Sequence, residues 1–419
     1  MVTSTQLENI ELPSGWELKP LRNCVTEKLS YGINAPAVPF DGKHPAYIRI
    51  TDITEDGRYS SDDRKAVITQ ERERYLLREG DVVLARTGAS TGKSYLYDKK
   101  DGDLVYAGFL IKASIDRKEN NPRFIAGQLR TPRYWAWIAA NSMRSGQPGI
   151  NGKEYSSFMI PVTTKAEQDA IAEVLTSFDE HITNLTDLVE KKKAIRDGAL
   201  NDLMSGNTRL SGFKDKWVTI SFSRFFTVQK NNTYARDKLT DHGAVGNIHY
   251  GDVLVKYGDI VGEKDGIPYL KDSVSYSASW LLQENDIVIA DTAEDETVGK
   301  SIQIGKISYP VVAGLHTIVC RPNMETAPGF LGYYMNSKAY HDQLLPHITG
   351  IKVSSVSKKS IKMTELHVPA DIMEQRAIAD ALTAMDEEIK ALEAEREKMI
   401  QIREGVMDDL LTGRVRLSV

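Results

Sequence analysis

The stretch 167–210 reads EQDAIAEVLTSFDEHITNLTDLVEKKKAIRDGALNDLMSGNTRL, and the stretch 374–417 reads EQRAIADALTAMDEEIKALEAEREKMIQIREGVMDDLLTGRVRL. The two stretches align without a gap, and roughly half of the aligned positions are identical. A repeat period of about 200 residues indicates duplicated domains rather than a solenoid of small units. The chain is therefore predicted to be one structural unit that occurs twice.

Each stretch is predicted to be a long helix with a narrow apolar seam. Apolar residues recur at alternating steps of four and three, which is the spacing of a coiled coil. At 1.5 Å per residue, a helix of about 40 residues is about 60 Å long. The seam consists of Ile171, Leu175, Phe178, Ile182, Leu185 and Val189 in the first helix and of Ile378, Leu382, Met385, Ile389 and Leu392 in the second.

The ends of both helices also carry recognisable residues. Thr164 and Glu167 have the spacing of a capping box, as do Asp371 and Glu374, and a proline shortly precedes each pair. Gly206, like its counterpart in the second copy, stands where a helix ends in a left-handed turn. These residues predict where each helix starts and stops.

Each helix must bury its seam, and the simplest partner is the other copy. Two similar units pair best about a pseudo-twofold axis, which sets the helices antiparallel and places the preceding domains at opposite ends. The alternative is that the seams bind other chains. We therefore expect an α+β protein with two mixed α/β domains separated by two long antiparallel coiled-coil helices.

The middle of each helix leaves two questions open. Arg196 and Arg403 occupy seam positions. They either lie in a solvated stretch or pair with neighbouring acids, or they fix the register of the helices or reach a partner. Gly198 and Gly405 each cost about 1 kcal/mol relative to alanine inside a helix. Their recurrence indicates either a close backbone contact or a frayed helix.

The segments before the helices form two further domains that share a fainter pattern. The domains are expected at residues 1–160 and 211–368, and the helical segments at 161–210 and 369–419. The run EGDVVLA (79–85) resembles ENDIVIA (284–290), and the apolar part of each is predicted to be a buried strand followed by a polar loop. A helix is expected near Arg123–Asn141. The remaining sequence differs between the two copies, as expected of two domains that share one framework and recognise different targets.

Composition and charge exclude several protein classes. With 41% hydrophobic and 26% charged residues, the chain is an ordinary globular protein, and it contains no apolar run of membrane-spanning length. Its two cysteines, Cys24 and Cys320, lack a metal or redox spacing, so a reduced, cytoplasmic setting is expected. The net charge of −5 comes from the helical segments, because residues 1–160 carry +3 and residues 211–368 carry 0. A local basic face is therefore allowed in either domain.

The motifs of common active sites are absent. The string GASTGKS (88–94) has three residues between its glycines where a phosphate-binding loop needs four, and a strand-like stretch follows it. The eight histidines are scattered without H-E-x-x-H, and no G-x-S-x-G or D/N-P-P-Y/F motif occurs. No metal site and no catalytic role are expected.

Taken together, these patterns resemble the specificity subunit of type I restriction–modification systems. The resemblance is carried by Trp16 and Trp217 near the domain starts, by GDVV followed by RTGASTGK (86–93), by SGQPGI (145–150), and by the proline and Glu-Gln that open each helix. It covers nearly the whole chain, and the duplicated helix is its most specific part. In the second domain, the stretch 349–357 matches SGQPG only loosely.

The resemblance implies a non-catalytic subunit with two target-recognition domains, each of which reads one half of a split site in double-stranded DNA. The helices are then the ruler for the unread spacer and dock two methyltransferase subunits. S-adenosylmethionine belongs to those subunits, and ATP and Mg²⁺ belong to the restriction motor–nuclease subunits that join them. This chain is expected to bind no cofactor.

Polar and basic loop residues are the candidates for DNA contact, because phosphate contacts position a protein while base-edge contacts specify sequence. For each of them, a solvated loop residue is the alternative. The candidates are Arg86, Thr87, Ser90, Thr91, Lys93, Ser145, Gln147 and Asn151 in the first domain and Lys300, Ser301, Lys352, Ser354, Ser355, Lys358 and Lys359 in the second.

Two other functions compete with this interpretation. One is a specificity subunit for a fused methyltransferase–nuclease, which the neighbouring partner gene would distinguish. The other is a protein-assembly scaffold whose domains bind proteins or small ligands, an interpretation that the weak basic balance favours.

Overall fold

The computed structural model describes residues 12–143, 147–350 and 353–418 and divides into two compact units. Unit 1 comprises Met1–Asn184 and Glu395–Val419, and unit 2 comprises Leu185–Ala394. Each long helix therefore contributes residues to both units, so the units cut across the sequential division into domains and helices. Among the residues that the structure describes, no helix combines the length and the apolar character needed to cross a bilayer.

Unit 1 holds a mixed α/β domain followed by the first long helix. Its strands are β1 (Glu17–Pro20), β2 (Ser30–Tyr31), β3 (Val38–Pro39), β4 (Ala46–Ile48), β5 (Lys65–Ala66), β6 (Asp81–Ala85), β7 (Ser94–Leu96), β8 (Leu104–Tyr106), β9 (Leu110–Ser114) and β10 (Met159–Val162). Its helices are α1 (Arg72–Tyr75), α2 (Pro122–Gln128), α3 (Pro132–Ser142), α4 (Gly152–Ser157) and the start of α5 (Lys165–Ser205).

Unit 2 repeats this plan. Its strands are β11 (Trp217–Ser221), β12 (Phe226–Val228), β13 (Leu239–Thr240), β14 (Gly246–Ile248), β15 (Ile260–Val261), β16 (Tyr269–Leu270), β17 (Ile287–Ala290), β18 (Thr292–Ala293), β19 (Ser301–Ile304), β20 (Val311–Ala313), β21 (Thr317–Pro322), β22 (Ser354–Ser355) and β23 (Glu365–Pro369). Its helices are α6 (Phe222–Phe225), α7 (Tyr250–Val255), α8 (Phe330–Asn336), α9 (Lys338–His341), α10 (Lys358–Ile361) and the start of α11 (Ile372–Thr412).

The two copies share one sheet topology, to which unit 2 adds strand β15 at a sheet edge and the separate pair β18·β22. Unit 1 has the strand orders β2-β9-β6-β7 and β3-β5-β4-β8, and unit 2 has β12-β21-β17-β19-β15 and β13-β16-β14-β20. The pair β4·β8 is parallel, and so is its counterpart β14·β20. A short antiparallel pair, β1·β10 or β11·β23, joins the start of each domain to the strand before its long helix. The internal repeat predicted from the helices therefore extends through both domains.

The central strand of each copy is fully buried, as the apolar runs predict. All residues of β6 and β17 are buried. The helix expected near Arg123–Asn141 is instead two helices, α2 and α3. The break falls before Pro132, because a proline disfavours helical geometry in the residue that precedes it.

Within each unit, the two long helices run antiparallel. In unit 1, Asp179 pairs with Arg403 at 2.8 Å and His181 lies 3.7 Å from Glu395. Rising numbers in one helix therefore face falling numbers in the other. Unit 2 follows the same rule, because Lys193 pairs with Glu393 and Arg196 with Asp386.

The seam residues are mostly buried, and the first ones extend the core of the preceding domain. Ile171 and Leu175 pack with the core of unit 1, and Ile378 and Leu382 with the core of unit 2. Phe178, Met385 and Leu392 are half-buried. The seam therefore joins each helix to its domain as well as to the other helix.

The polar residues of the helices differ partly from expectation. The Thr164 hydroxyl accepts from the Glu167 N–H at 3.4 Å, but the Glu167 carboxylate does not return to complete a capping box. It binds Arg416 at 2.6 and 2.8 Å, and Glu374 binds Arg209 in the same way. The buried carboxylate is satisfied better by a bidentate guanidinium than by a single N–H.

The central glycines do not make the close contact that was one explanation for their recurrence. A Cβ added at Gly198 or Gly405 would meet nothing within 4 Å, and both residues lie inside continuous helix. Neither fraying nor packing within the described chain accounts for them.

Candidate nucleic-acid interface

The loop after the central strand has the same backbone frame in both copies. In unit 1 the Ala85 N–H donates to the Lys93 carbonyl at 2.8 Å, and the Gly92 N–H returns to the Ala85 carbonyl at 3.0 Å. In unit 2 the equivalent bonds, made by Ala290 with Lys300 and Gly299, are both 2.9 Å. The loop is thus a turn closed by backbone hydrogen bonds at the end of a buried strand.

A distant segment closes against this loop. The Gly88 N–H donates to the Pro148 carbonyl at 3.0 Å, and the Ile150 N–H donates to the Arg86 carbonyl at 2.9 Å. Thr87 forms an isolated bridge with Gly149. The stretches RTGASTGK and SGQPGI, which the sequence singled out separately, therefore meet in one place.

Unit 2 brings together the equivalent segments. The Val356 N–H donates to the Asp291 carbonyl at 2.9 Å, matching the bond between Ile150 and Arg86. Strand β18 pairs with β22, which places Thr292 opposite Ser355. The loose sequence match of this region thus still gives the same contact.

The surface at this junction in unit 1 combines a cation with exposed aromatic rings. The Arg86 guanidinium lies 5.0 Å from the centre of the Tyr31 ring, and its buried Nε has no hydrogen bond. Tyr31 is 44% exposed and Phe109 is 56% exposed. Gln147 is also exposed, with its amide nitrogen 3.0 Å from where a Cβ on Gly88 would lie.

Several candidate side chains in unit 1 point into the domain or form hydrogen bonds with its backbone. Thr91 is buried, and its hydroxyl donates to the Gly88 carbonyl at 2.7 Å. Lys93 donates to the Ile53 carbonyl at 3.3 Å and pairs with Glu55 at 2.7 Å. Asn151 caps α4, and the Ser90 carbonyl accepts from the Lys93 N–H at 3.0 Å. These contacts make Thr91, Lys93 and Asn151 supports of the loop.

In unit 2, the equivalent candidate side chains also point into the domain. Lys300 donates to the carbonyls of Leu254 and Tyr257 at 2.8 and 3.2 Å, and burial lowers its pKa below the ordinary value. Ser301 is fully buried and its backbone N–H donates to Asn336. Both residues are therefore supports, and neither presents its side chain at a surface. The matching behaviour of Lys93 and Lys300 follows from their equivalent positions.

Of the remaining candidates of unit 2, one lines a cavity of about 320 Å³. Ser355 lines it together with Asp291, Thr292 and His316. Ser354 is half-buried beside Ser355, while Lys358 and Lys359 are exposed on α10. Ser145 and Lys352 lie outside the described residues.

Tyr31, Phe109, Asp291 and His316 were missed by the sequence analysis. Asp291 could have been found, because it follows Ile-Val-Ile-Ala as Arg86 follows Val-Val-Leu-Ala. The aromatic residues come from β2 and the turn before β9, which only the fold brings to the loop.

The chemistry of these surfaces is that of recognition. They offer guanidinium and hydroxyl donors, carboxylate acceptors and aromatic faces. In the described part of the chain, no group of His, Cys, Asp and Glu side chains has a metal-binding arrangement. Burial raises the pKa of the Cys24 thiol to about 11 and raises that of Cys320 as well, so neither is poised as a nucleophile.

Comparison with known proteins agrees with these observations. The Type I restriction modification DNA specificity domain matches residues 39–194 and again residues 214–401. The Type I restriction enzyme MjaVIII specificity subunit of Methanocaldococcus jannaschii is 21% identical over 434 residues, covering 99% of this chain and 96% of that protein. The putative MjaX specificity subunit of the same organism is 22% identical, covering 97% of this chain and 95% of that protein.

A solved structure has the same fold. The type I restriction–modification S subunit from M. genitalium superposes with a TM-score of 0.56 at 16% identity, covering 96% of this chain and 98% of that one. The α+β architecture with two mixed domains and two long helices is thereby confirmed. Because the family model covers both repeats, the chain belongs to the family of type I restriction–modification DNA specificity subunits.

Proposed function

We propose that each copy of the repeat reads one half of a bipartite site in double-stranded DNA, at the loop after its central strand. The observation that carries the proposal is that the two copies keep one backbone frame there and differ in the side chains it displays. Arg86, Thr87, Tyr31, Phe109 and Gln147 surround this loop in the first copy. A shared frame with different displayed groups is what two readers of different sequences require.

The displayed groups suit DNA chemistry. Arginine and glutamine can each make two hydrogen bonds to a base edge in the major groove, whereas lysines neutralise phosphates. Arg86 and Gln147 are therefore assigned to base contacts in the first half-site. Lys358 and Lys359, exposed on α10, are assigned to phosphate contacts in the second.

We further propose that the long helices dock partner methyltransferase subunits, one on each copy. Gly198 lies near Ile195, which is 50% exposed, and the equivalent Gly405 lies near Ile402, which is 38% exposed. An exposed glycine next to an exposed isoleucine allows another backbone to approach closely over an apolar contact. The recurrence of this pair in both copies supports two equivalent docking sites.

The chain itself supplies recognition in this scheme. We propose that it binds no cofactor, that S-adenosylmethionine is held by the methyltransferase subunits, and that ATP and Mg²⁺ are held by the motor–nuclease subunits. A chain whose candidate surfaces carry no activated nucleophile can direct such chemistry without performing it.

The test is to express the full chain with its partner methyltransferase and to sequence the methylated adenines across a genome. We expect one two-part motif with a constant spacer that disappears when this gene is deleted. Replacing residues 12–160 within the full chain by the matching segment of a relative should change one half of the motif and leave the other. Methylation that persists without the gene, or a motif that changes in both halves, would contradict the proposal.

A further inference from the structure

Arg86 and Asp291 occupy the same position in the two copies. Each follows the last residue of the central strand. The Arg86 N–H donates to the carbonyl of Phe109, just before β9, at 3.0 Å. The Asp291 N–H donates to the carbonyl of His316, just before β21, at 3.1 Å. The carbonyl of each accepts at 2.9 Å from the segment that closes the loop. One backbone position therefore displays a cation in unit 1 and a carboxylate in unit 2.

The Arg86 guanidinium contacts an aromatic ring but forms no ion pair within the described residues. Its guanidinium stacks near Tyr31, its Nε has no hydrogen bond, and no carboxylate pairs with it within the described ranges. This contact with the face of the Tyr31 ring holds the guanidinium without using its N–H groups. The planar fork of donors matches O6 and N7 of guanine in the major groove.

The Asp291 side chain offers the opposite chemistry. Its Oδ1 accepts from the Thr292 hydroxyl at 2.8 Å and lies 3.3 Å from Nδ1 of His316, while Oδ2 has no hydrogen bond to any described residue. The side chain is 26% exposed. A carboxylate close to DNA is repelled by the phosphates, so a useful contact requires a donor on a base. In the major groove the donors are the amino groups of cytosine N4 and adenine N6.

We propose that this position reads bases of opposite polarity in the two half-sites: Arg86 contacts a guanine, and Asp291 contacts a base that presents an amino group. The inference rests on the proposed DNA-reading function and adds the base that Arg86 contacts and the reading residue Asp291 in the second copy. It also explains why the two copies keep the frame while the charge at this position is reversed.

The test compares methylated motifs from the full chain, expressed with its methyltransferase partner, for the wild type, Arg86→Ala, Arg86→Lys and Asp291→Ala. For Arg86→Ala we expect one guanine in one half-site to relax, with discrimination falling roughly 5- to 150-fold. Arg86→Lys keeps the charge but loses the fork, so it should relax the same position partly. Asp291→Ala should relax one base pair in the other half-site, since each base pair presents one amino group in the major groove. Arg117→Ala, at an exposed arginine paired with Glu79, is the matched control and should leave the motif unchanged.

The outcomes separate this inference from the function on which it rests. If the wild-type chain gives no bipartite motif, the proposed function fails. If the wild type gives the motif and Arg86→Ala only lowers methylation evenly at an unchanged motif, Arg86 is a phosphate contact and the inference is overturned. If Asp291→Ala leaves every position of the motif unchanged, Asp291 does not read a base and the inference is also overturned. Where Arg86→Ala fails to fold, Arg86→Lys decides the question.

Discussion

At the scale of single residues, buried charges mark the ends of the long helices. Glu167 is nearly inaccessible, yet Arg416 and the Thr163 hydroxyl satisfy its carboxylate. The bond to Arg416 is the largest cause that lowers the pKa of Glu167 below its ordinary value of 4.5. Glu374 and Arg209 repeat the arrangement in unit 2.

The first prediction concerns the pH dependence of stability. Because the pKa of Glu167 is lower in the folded state, its contribution is complete above the ordinary pKa and is lost as the pH falls through the folded value. We expect Glu167→Gln to lower the melting temperature at pH 7, and this deficit to shrink on acidification below about pH 4.5. Thermal melts from pH 3 to 8 measure it. The exposed Glu180→Gln is the control, and a deficit that stays constant with pH would contradict the role of the ion pair.

The second prediction concerns Gly92 in the loop after the central strand β6. Its φ is +98°, and an added Cβ would lie 2.8 Å from the Trp135 ring. Gly212 has the same φ of +98° and nothing within 4 Å, so it isolates the cost of backbone strain. We expect Gly212→Ala to cost about 1–2 kcal/mol of unfolding free energy, and Gly92→Ala to cost more because it adds the clash. Denaturant unfolding of both variants checks the difference, and equal losses would show that the loop relaxes around Trp135.

At the scale of elements, the sequence predicted the features that depend on local periodicity alone. The seam of α5 and α11 and the buried strands β6 and β17 follow from periodicity, which needs no tertiary information. The direction of a loop side chain does not, and so Lys93 and Lys300 turned out to bind carbonyls within their domains. Likewise, the sequence marked RTGASTGK and SGQPGI separately, while only the folded chain shows that they touch.

The third prediction separates stability from assembly at the helix glycines. Alanine at Gly198 or Gly405 should increase helix stability by about 1 kcal/mol each, because it meets no neighbour and removes the entropic cost of glycine. The same variants should weaken copurification with the methyltransferase, since the new methyl group stands where the partner backbone is proposed to approach. Thermal melts and pull-down of the complex measure the two effects.

The control for this pair of variants is Glu190→Ala, which also adds helix propensity at an exposed site of α5. It should leave copurification unchanged. Stabilised glycine variants that still bind the methyltransferase at full strength would remove these glycines from the docking site.

At the scale of the whole molecule, we propose that the length of the long helices sets the length of DNA that is left unread. Each helix contributes residues to both units. The proposed spacing between the two DNA-reading loops therefore depends on helix length. Two half-sites read from one face of DNA lie about 34 Å apart, or a multiple of that distance. A rigid helical pair can enforce such a distance, and a flexible tether cannot.

The fourth prediction therefore shortens both helices together. Deleting residues 187–193 and 388–394 removes one heptad from each helix, which keeps the seams in phase and removes both partners of the Lys192–Glu388 and Lys193–Glu393 pairs. The pair shortens by about 10 Å, which corresponds to about 3 base pairs of unread spacer. Sequencing of methylated sites should show a shorter spacer between unchanged half-sites, because neither recognition loop is altered. Deleting only 187–193 mismatches the helices and should abolish methylation, whereas an unchanged spacer after the paired deletion would show that the helices do not set it.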